Sequence, residues 1–144
     1  MSLNQYNIYV LEKIKVNTPQ RTRLVDITSE IQNIISKHKA KEGIVYIFCP
    51  HTTAALTINE NADPSVQTDI TDTLNKLIPH NSGYAHTEGN ADAHIKAAIV
   101  GSSRTLFIKN NKIVLGTWQG IYLCEFDGPR TREVWVKIIK EQSS

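Results

Sequence analysis

Ile44, Val45, Tyr46, Ile47, Phe48 and Cys49 form an unbroken apolar run that Pro50 stops. A run of this length without polar alternation predicts a strand covered on both faces. The rest of the chain must then supply cover in layers, and the punctuation around the run shows how. Before it, residues 6–16 alternate for part of their length through Tyr6, Ile8 and Val10, which predicts a long strand with a bulge. After a turn at residues 17–20, Leu24, Val25 and Ile27 make a second strand, the expected hairpin partner of the first. Thr28 or Ser29 then caps a helix whose Ile31, Ile34 and Ile35 recur at helical spacing, with His38 in its last turn and Gly43 as its stop.

Downstream, residues 54–58 read as a short strand. Asp63 followed by Pro64 is an acidic N-cap with proline at the first helical position. Val66, Ile70, Leu74 and Leu77 are the expected buried stripe of that helix, which Pro79 ends. Residues 80–90 show no periodicity and are rich in turn formers, as functional loops are. Asn90 caps a third helix, with Asp92 in its first turn, Ile95, Ala98 and Ile99 expected to face inward, and Gly101 as the stop. Strands follow at residues 105–108, 113–115, 121–126 and 134–139, with turns at 110–111, 116–120 and 127–130. Helices do not alternate regularly with strands. The order therefore predicts one α+β domain over residues 1–144, with two packed, mostly antiparallel or mixed sheets of about eight strands and three helices.

Composition narrows the class. With 40% hydrophobic and 21% charged residues in a chain of 144, the sequence is that of an ordinary globular domain, not a disordered tail or a disulfide scaffold. It holds no unbroken apolar stretch of membrane-spanning length, and its first ten residues lack a signal pattern, so a cytoplasmic protein without a membrane partner is expected. Cys49 and Cys124 lie in apolar runs and are expected to be buried, reduced thiols. Charge is unevenly spread. Residues 42–95 hold seven acidic residues, one basic residue and four of the five histidines. An acidic, histidine-rich segment suits a cation better than a phosphate backbone, so no nucleic-acid partner is expected.

Three features can carry chemistry. His51 ends a strand, His86 lies in the long loop and His94 opens a helix, so the three can meet at one mouth of a sheet. Imidazole suits zinc and other transition metals, and three protein ligands with an open fourth position is the catalytic zinc arrangement. Glu60, Asp63, Glu88 and Asp92 are the carboxylates that could complete the shell, orient a histidine or act as base. Against this stands the plainer reading of loop histidines bonded to backbone. The second feature is Trp118 and Gln119 between Gly116 and Gly120, a rigid aromatic wall beside an amide, or a core tryptophan in a bulged strand. The third is Arg130 and Arg132, two guanidinium groups near a tight turn that can fork onto a phosphate, or an exposed turn with an Asp–Arg pair. No metalloprotease, P-loop or nucleophile-elbow motif is present, and His86-Thr87-Glu88 lacks the P-C-x-x-C element that a deaminase needs.

Several stretches together resemble the YjbQ-like family. They are residues 51–56 (from His51), 59–64 (Asn59 to Pro64), 86–96 (His86 to Lys96), 116–121 (Gly116 to Ile121) and 125–130 (Glu125 to Arg130), in order, within a resemblance that covers nearly the whole chain. The resemblance implies a compact α+β fold built on sheets, assembly as a homotrimer, and a site at His51, His86 and His94. It also implies a weak thiamine-phosphate synthase activity, the joining of a pyrimidine diphosphate to a thiazole phosphate. The combined expectation is a small metal-dependent enzyme. His51, His86 and His94 would bind a divalent metal, zinc or magnesium, and act with Glu88. Trp118 and Gln119 would hold a ring, and Arg130 and Arg132 the phosphate of a phosphorylated heterocycle. A non-catalytic oligomeric metal- or metabolite-binding protein fits the same residues, as do histidines that serve only as subunit contacts.

Overall fold

The structure, a computed structural model, describes residues 8–141. The Tyr6 end of the first expected strand, and most of the segment read for a signal pattern, lie outside the described residues. The elements are β1 (Tyr9–Asn17), β2 (Arg23–Asp26), α1 (Thr28–Lys37), β3 (Gly43–Phe48), β4 (Ala54–Glu60), α2 (Pro64–Leu77), α3 (Ala91–Val100), β5 (Ser103–Lys109), β6 (Lys112–Ile113), β7 (Gln119–Glu125) and β8 (Thr131–Lys140). The strands form a five-stranded sheet in the order β1-β8-β3-β5-β6 and a three-stranded sheet in the order β2-β7-β4. Every pairing is antiparallel. The α+β class, the two sheets and the three helices match the expectation from sequence. No helix among the described residues is long and apolar enough to cross a membrane.

Two apolar cores stack on the small sheet. Val45, Ile47, Val134, Val136 and Ile138 from the large sheet meet Leu56, Ile121 and Leu123 from the small one, and α1 adds Ile31, Ile34 and Ile35. On the far side of the small sheet, Ala55, Tyr122 and Cys124 pack against Ala93 and Ala97 of α3, with Ile70 and Leu74 of α2 at the edge. Strand β7 is therefore buried on both faces, which explains its nearly continuous apolar sequence. Both cysteines are buried and free, and burial pushes the Cys124 thiol up to about 12.

Four local expectations give way to tertiary context. Strands β1 and β2 do not form a hairpin: β1 pairs with β8 and β2 with β7, in different sheets. Strand β3 is covered on one face only, since Tyr46 and Phe48 stay exposed on the outer face of the large sheet. Helix α2 has its Asp63 cap, which accepts from the Ser65 amide at 3.0 Å, yet it contains no fully buried residue and leaves Leu77 72% exposed. Helix α3 is turned the opposite way from the pattern of its large residues. Ile99 is 64% exposed, and the face against the sheet consists of Ala91, Asp92, Ala93, Lys96 and Ala97. Alanine lets the helix approach the sheet closely, and the buried charges are paired with each other, as buried charges must be.

The two sheets are tied together by a buried polar knot at the crossover from β7 to β8. The Glu125 carboxylate accepts from Arg132 Nε at 2.8 Å, from Thr18 Oγ1 at 2.8 Å, and from the amides of Phe126 and Asp127 at 3.0 and 2.9 Å. Arg132 Nη2 bonds Glu125 as well and donates to Thr53 Oγ1 at 2.8 Å. Burial raises the Glu125 pKa, but the bonds from Arg132, the backbone and Thr18 outweigh it and leave the carboxyl below its ordinary value. Gly128 completes the turn, because a Cβ there would stand 2.4 Å from the Gln20 carbonyl oxygen. Replacing Arg132 with Met strands the Glu125 charge in the interior and is expected to cost about 3–5 kcal/mol of stability. Urea unfolding measures this, and a loss below about 1 kcal/mol would show that the pair does not hold the crossover.

Candidate functional site

The long loop after α2 folds back over the start of α3. His80 Nε2 donates to the Gly89 carbonyl at 2.7 Å, and the Tyr84 hydroxyl donates to the Pro79 carbonyl. These contacts deliver His86 to His94 in the first turns of α3, and the two rings meet edge to face with centroids 5.3 Å apart. A pocket of about 350 Å³ opens there, lined by Tyr84, Ala85, His86, Ala91, His94 and Ile95. His86 is 43% exposed, and its Nε2 lies 3.7 Å from Glu88 Oε2, too far for a hydrogen bond but within reach of an ion pair once the ring is protonated.

Helix α3 is fixed by charge from beneath. Asp92 accepts from Arg21 Nη1 and Nη2 at 3.2 and 3.0 Å and from Lys96 Nζ at 2.9 Å, and Lys96 donates on to Asn75 Oδ1 of α2 at 2.7 Å. At its N-cap, Asn90 Nδ2 donates to Asp127 Oδ2 at 3.0 Å. Asp127 Oδ2 also accepts from Arg130 Nη2 at 2.9 Å. The turn that carries Arg130 thus abuts the end of α3 that carries the pocket.

The other expected site residues are placed elsewhere. His51 does not line this pocket. Its Nε2 accepts from the Glu133 amide at 2.9 Å, so Nδ1 carries the proton of the neutral ring. Burial first, and then the positive charge of Arg132, lowers its pKa. No group of three His, Cys, Asp or Glu side chains among the described residues could hold a metal ion. Arg132 is spent on Glu125 and Thr53, which corrects its reading as an anion fork. Asp92 is likewise committed inside the fold, and Asp63 caps α2. Trp118 is 62% exposed in the turn before β7, and Gln119, the first residue of β7, braces that turn by accepting from the Gly116 amide through Oε1 at 2.8 Å. Sequence reasoning missed Lys96, Arg21 and Asn75. The spacing of Asp92 and Lys96, four apart on one helix face, was the available signal.

Burial alone would raise the Asp92 pKa, but the bonds from Arg21 and Lys96 hold it at about 2, against an ordinary 3.8. A depressed carboxyl stabilises the fold fully above its unfolded pKa. That stability fades as pH falls from about 4 through about 2. Asp92→Asn is expected to lose at least about 2 kcal/mol at neutral pH and to flatten this acid dependence. Unfolding midpoints at pH 7 and pH 3 test it, and an unchanged pH slope in the variant would remove the assignment.

Comparison with known proteins places this geometry among relatives. The family model described as UPF0047 protein YjbQ-like matches residues 12–141. The UPF0047 protein MJ1081 of Methanocaldococcus jannaschii is 56% identical over 135 residues, covering 94% of this chain and 98% of that protein. YugU of Bacillus subtilis is 42% identical, covering 90% of this chain and 99% of that protein. A crystal structure of an uncharacterized conserved protein of the same family from Clostridium acetobutylicum superposes with a TM-score of 0.87 at 48% identity, covering 89% of this chain and 99% of that one. A protein of unknown function from Sulfolobus solfataricus superposes with a TM-score of 0.88 at 35% identity, covering 92% of this chain and 98% of that one. With agreement in sequence over almost the full length and in fold at this level, the chain belongs to the YjbQ-like UPF0047 family.

Proposed function

We propose that the pocket between His86 and His94 binds a divalent metal ion, and that the protein is a small metal-dependent enzyme acting on a phosphorylated heterocycle. The observation that carries this reading is the 5.3 Å separation of the two rings. A zinc–imidazole bond of about 2.0–2.1 Å places a ring centre roughly 3.2 Å from the ion, so two rings at a tetrahedral angle stand about 5.2 Å apart. Two imidazoles also suit zinc better than magnesium, which prefers oxygen. The pair would form the protein's share of the shell, with the remaining positions left to water and to phosphate oxygens of the ligand.

Bound there, the ion would offset phosphate charge as pyrophosphate leaves, the step required to join a pyrimidine diphosphate to a thiazole phosphate. Arg130, held by Asp127, keeps donors free for a second phosphate. Glu88, exposed 3.7 Å from the His86 ring, would act as base through an intervening water or on the ligand itself. Self-association belongs to the same reading. Tyr9, Leu11, Tyr46, Phe48, Phe107 and Ile139 are exposed together on the outer face of the large sheet, which favours burial between copies in a homotrimer. The open wall of the pocket favours a second reading, a non-catalytic metal or metabolite binder, because phosphate chemistry gains from excluding water.

Zinc titration of the wild-type chain and of His86→Ala, His94→Ala and His51→Ala tests the site. The first two are expected to bind at least ten-fold more weakly and the third within two-fold of the parent. Equal affinity in all four would overturn the pocket as a metal site. Pyrophosphate release from the pyrimidine and thiazole pair then separates enzyme from binder: saturable zinc-dependent release supports the enzyme, and stoichiometric binding without product supports the alternative. For the assembly, Phe107→Lys is expected to shift the sedimenting species toward the single chain, and an unchanged mass would clear that face of a role.

A further inference from the structure

A second cleft lies apart from the histidine pocket, between β2 and the first half of α2. It has two lobes of about 290 and about 280 Å³, which share Arg23, Leu24 and Gln67. Together they reach the size range of small-molecule sites. Its polar groups are held in place by the fold. The Tyr122 side chain is almost wholly buried, and its phenol donates its one proton to the Glu60 carbonyl at 3.1 Å. The amide of Gln67 must therefore present its NH₂ to the phenol, which it does at 2.6 Å. Gln67 Oε1 is left as the open, oriented acceptor of the shared wall.

The second lobe is shaped by two stretches that the histidine pocket does not use. The Asn61 backbone N–H donates to the Trp118 carbonyl at 2.9 Å, which joins the segment before α2 to the turn before β7. A Cβ at Gly120 would stand 2.6 Å from Asn61 Nδ2, so this glycine leaves the space that the Asn61 side chain fills. Asp26 Oδ1 accepts from the Thr28 amide and hydroxyl at 2.9 and 2.6 Å, which fixes the carboxylate and leaves Oδ2 open. Arg23 is steadied by one bond, Nη1 to Gln20 Oε1 at 3.1 Å, and keeps the rest of its guanidinium fork. The cleft thus combines one cationic fork with a fixed carboxylate, the hydrogen-bonded amide of Gln67 and the Asn61 amide packed over Gly120.

We propose that this cleft is a ligand site for a small phosphorylated sugar. Its phosphate is taken by the Arg23 fork. Its hydroxyls donate to Gln67 Oε1 and Asp26 Oδ2 and accept from Asn61 Nδ2. Neither a bare anion nor a neutral sugar satisfies all of these groups: the first leaves the acceptors unpaired, and the second leaves the guanidinium unpaired. The inference is independent of the metal pocket.

The test uses ribose 5-phosphate, ribose and inorganic phosphate as probes, with backbone amide shifts to locate binding and calorimetry to measure it. Ribose 5-phosphate is expected to move the amides of Arg23, Asn61, Gln67 and Tyr122, and to bind at least ten-fold more tightly than either fragment. The exposed Arg23→Met and Asn61→Ala are each expected to weaken it at least ten-fold, while His86→Ala leaves it unchanged. Shifts confined to the histidine pocket, equal affinity for inorganic phosphate, or full binding by Arg23→Met would each overturn the proposal.

Discussion

The charge pair between Glu125 and Arg132 is the constraint on which the rest of the architecture depends. It stands where the chain leaves the small sheet and enters the large one, at the end of β7 and the start of β8. Each of those strands has neighbours on both sides. A carboxylate in the interior is tolerated only when its lone pairs are filled, and here backbone amides, a threonine and a guanidinium fill them. The same bonds fix the turn that presents Arg130 and Asp127, and through Asn90 they reach the cap of α3. Scaffold and candidate site share one hydrogen-bonded thread.

Helix α3 shows how polar burial decides orientation. Its isoleucines predict one inward face, yet the opposite face packs against the sheet. Alanine at positions 93 and 97 permits a close approach, and Asp92 with Lys96 brings its own compensation from Arg21 and Asn75. The outcome leaves Ile95 in the pocket wall beside His94. Had the isoleucines turned inward, the histidine would face a different neighbourhood.

Much of the fold is legible in the chain because its signals are local. The Asp63–Pro64 cap, the Ile31, Ile34 and Ile35 stripe and the turn at Asn110 and Asn111 each rest on a few adjacent residues, and each sits where the pattern places it. What fails is what depends on distant partners. Strands β1 and β2 are neighbours in sequence but belong to different sheets, and nothing within residues 9–26 encodes that β8 and β7 are waiting. The same holds for the site. His86 and His94 meet because one loop and one helix start suffice to join them. The position of His51 depends on the amide of Glu133 across the sheet, a contact with no sequence signature.

Strand order has a consequence for how the molecule comes into being. Strand β8 lies between β1 and β3, with hydrogen bonds to both. It is also the last strand to be synthesised among those described. During translation β1 and β3 therefore emerge without the strand that joins them, and each must wait for a long loop to close, from Tyr9 to Ile139 for β1 and from Gly43 to Lys140 for β3. The early chain holds two strands with open edges, one of them carrying the exposed Tyr46 and Phe48, so its newborn form is the one most open to wrong partners.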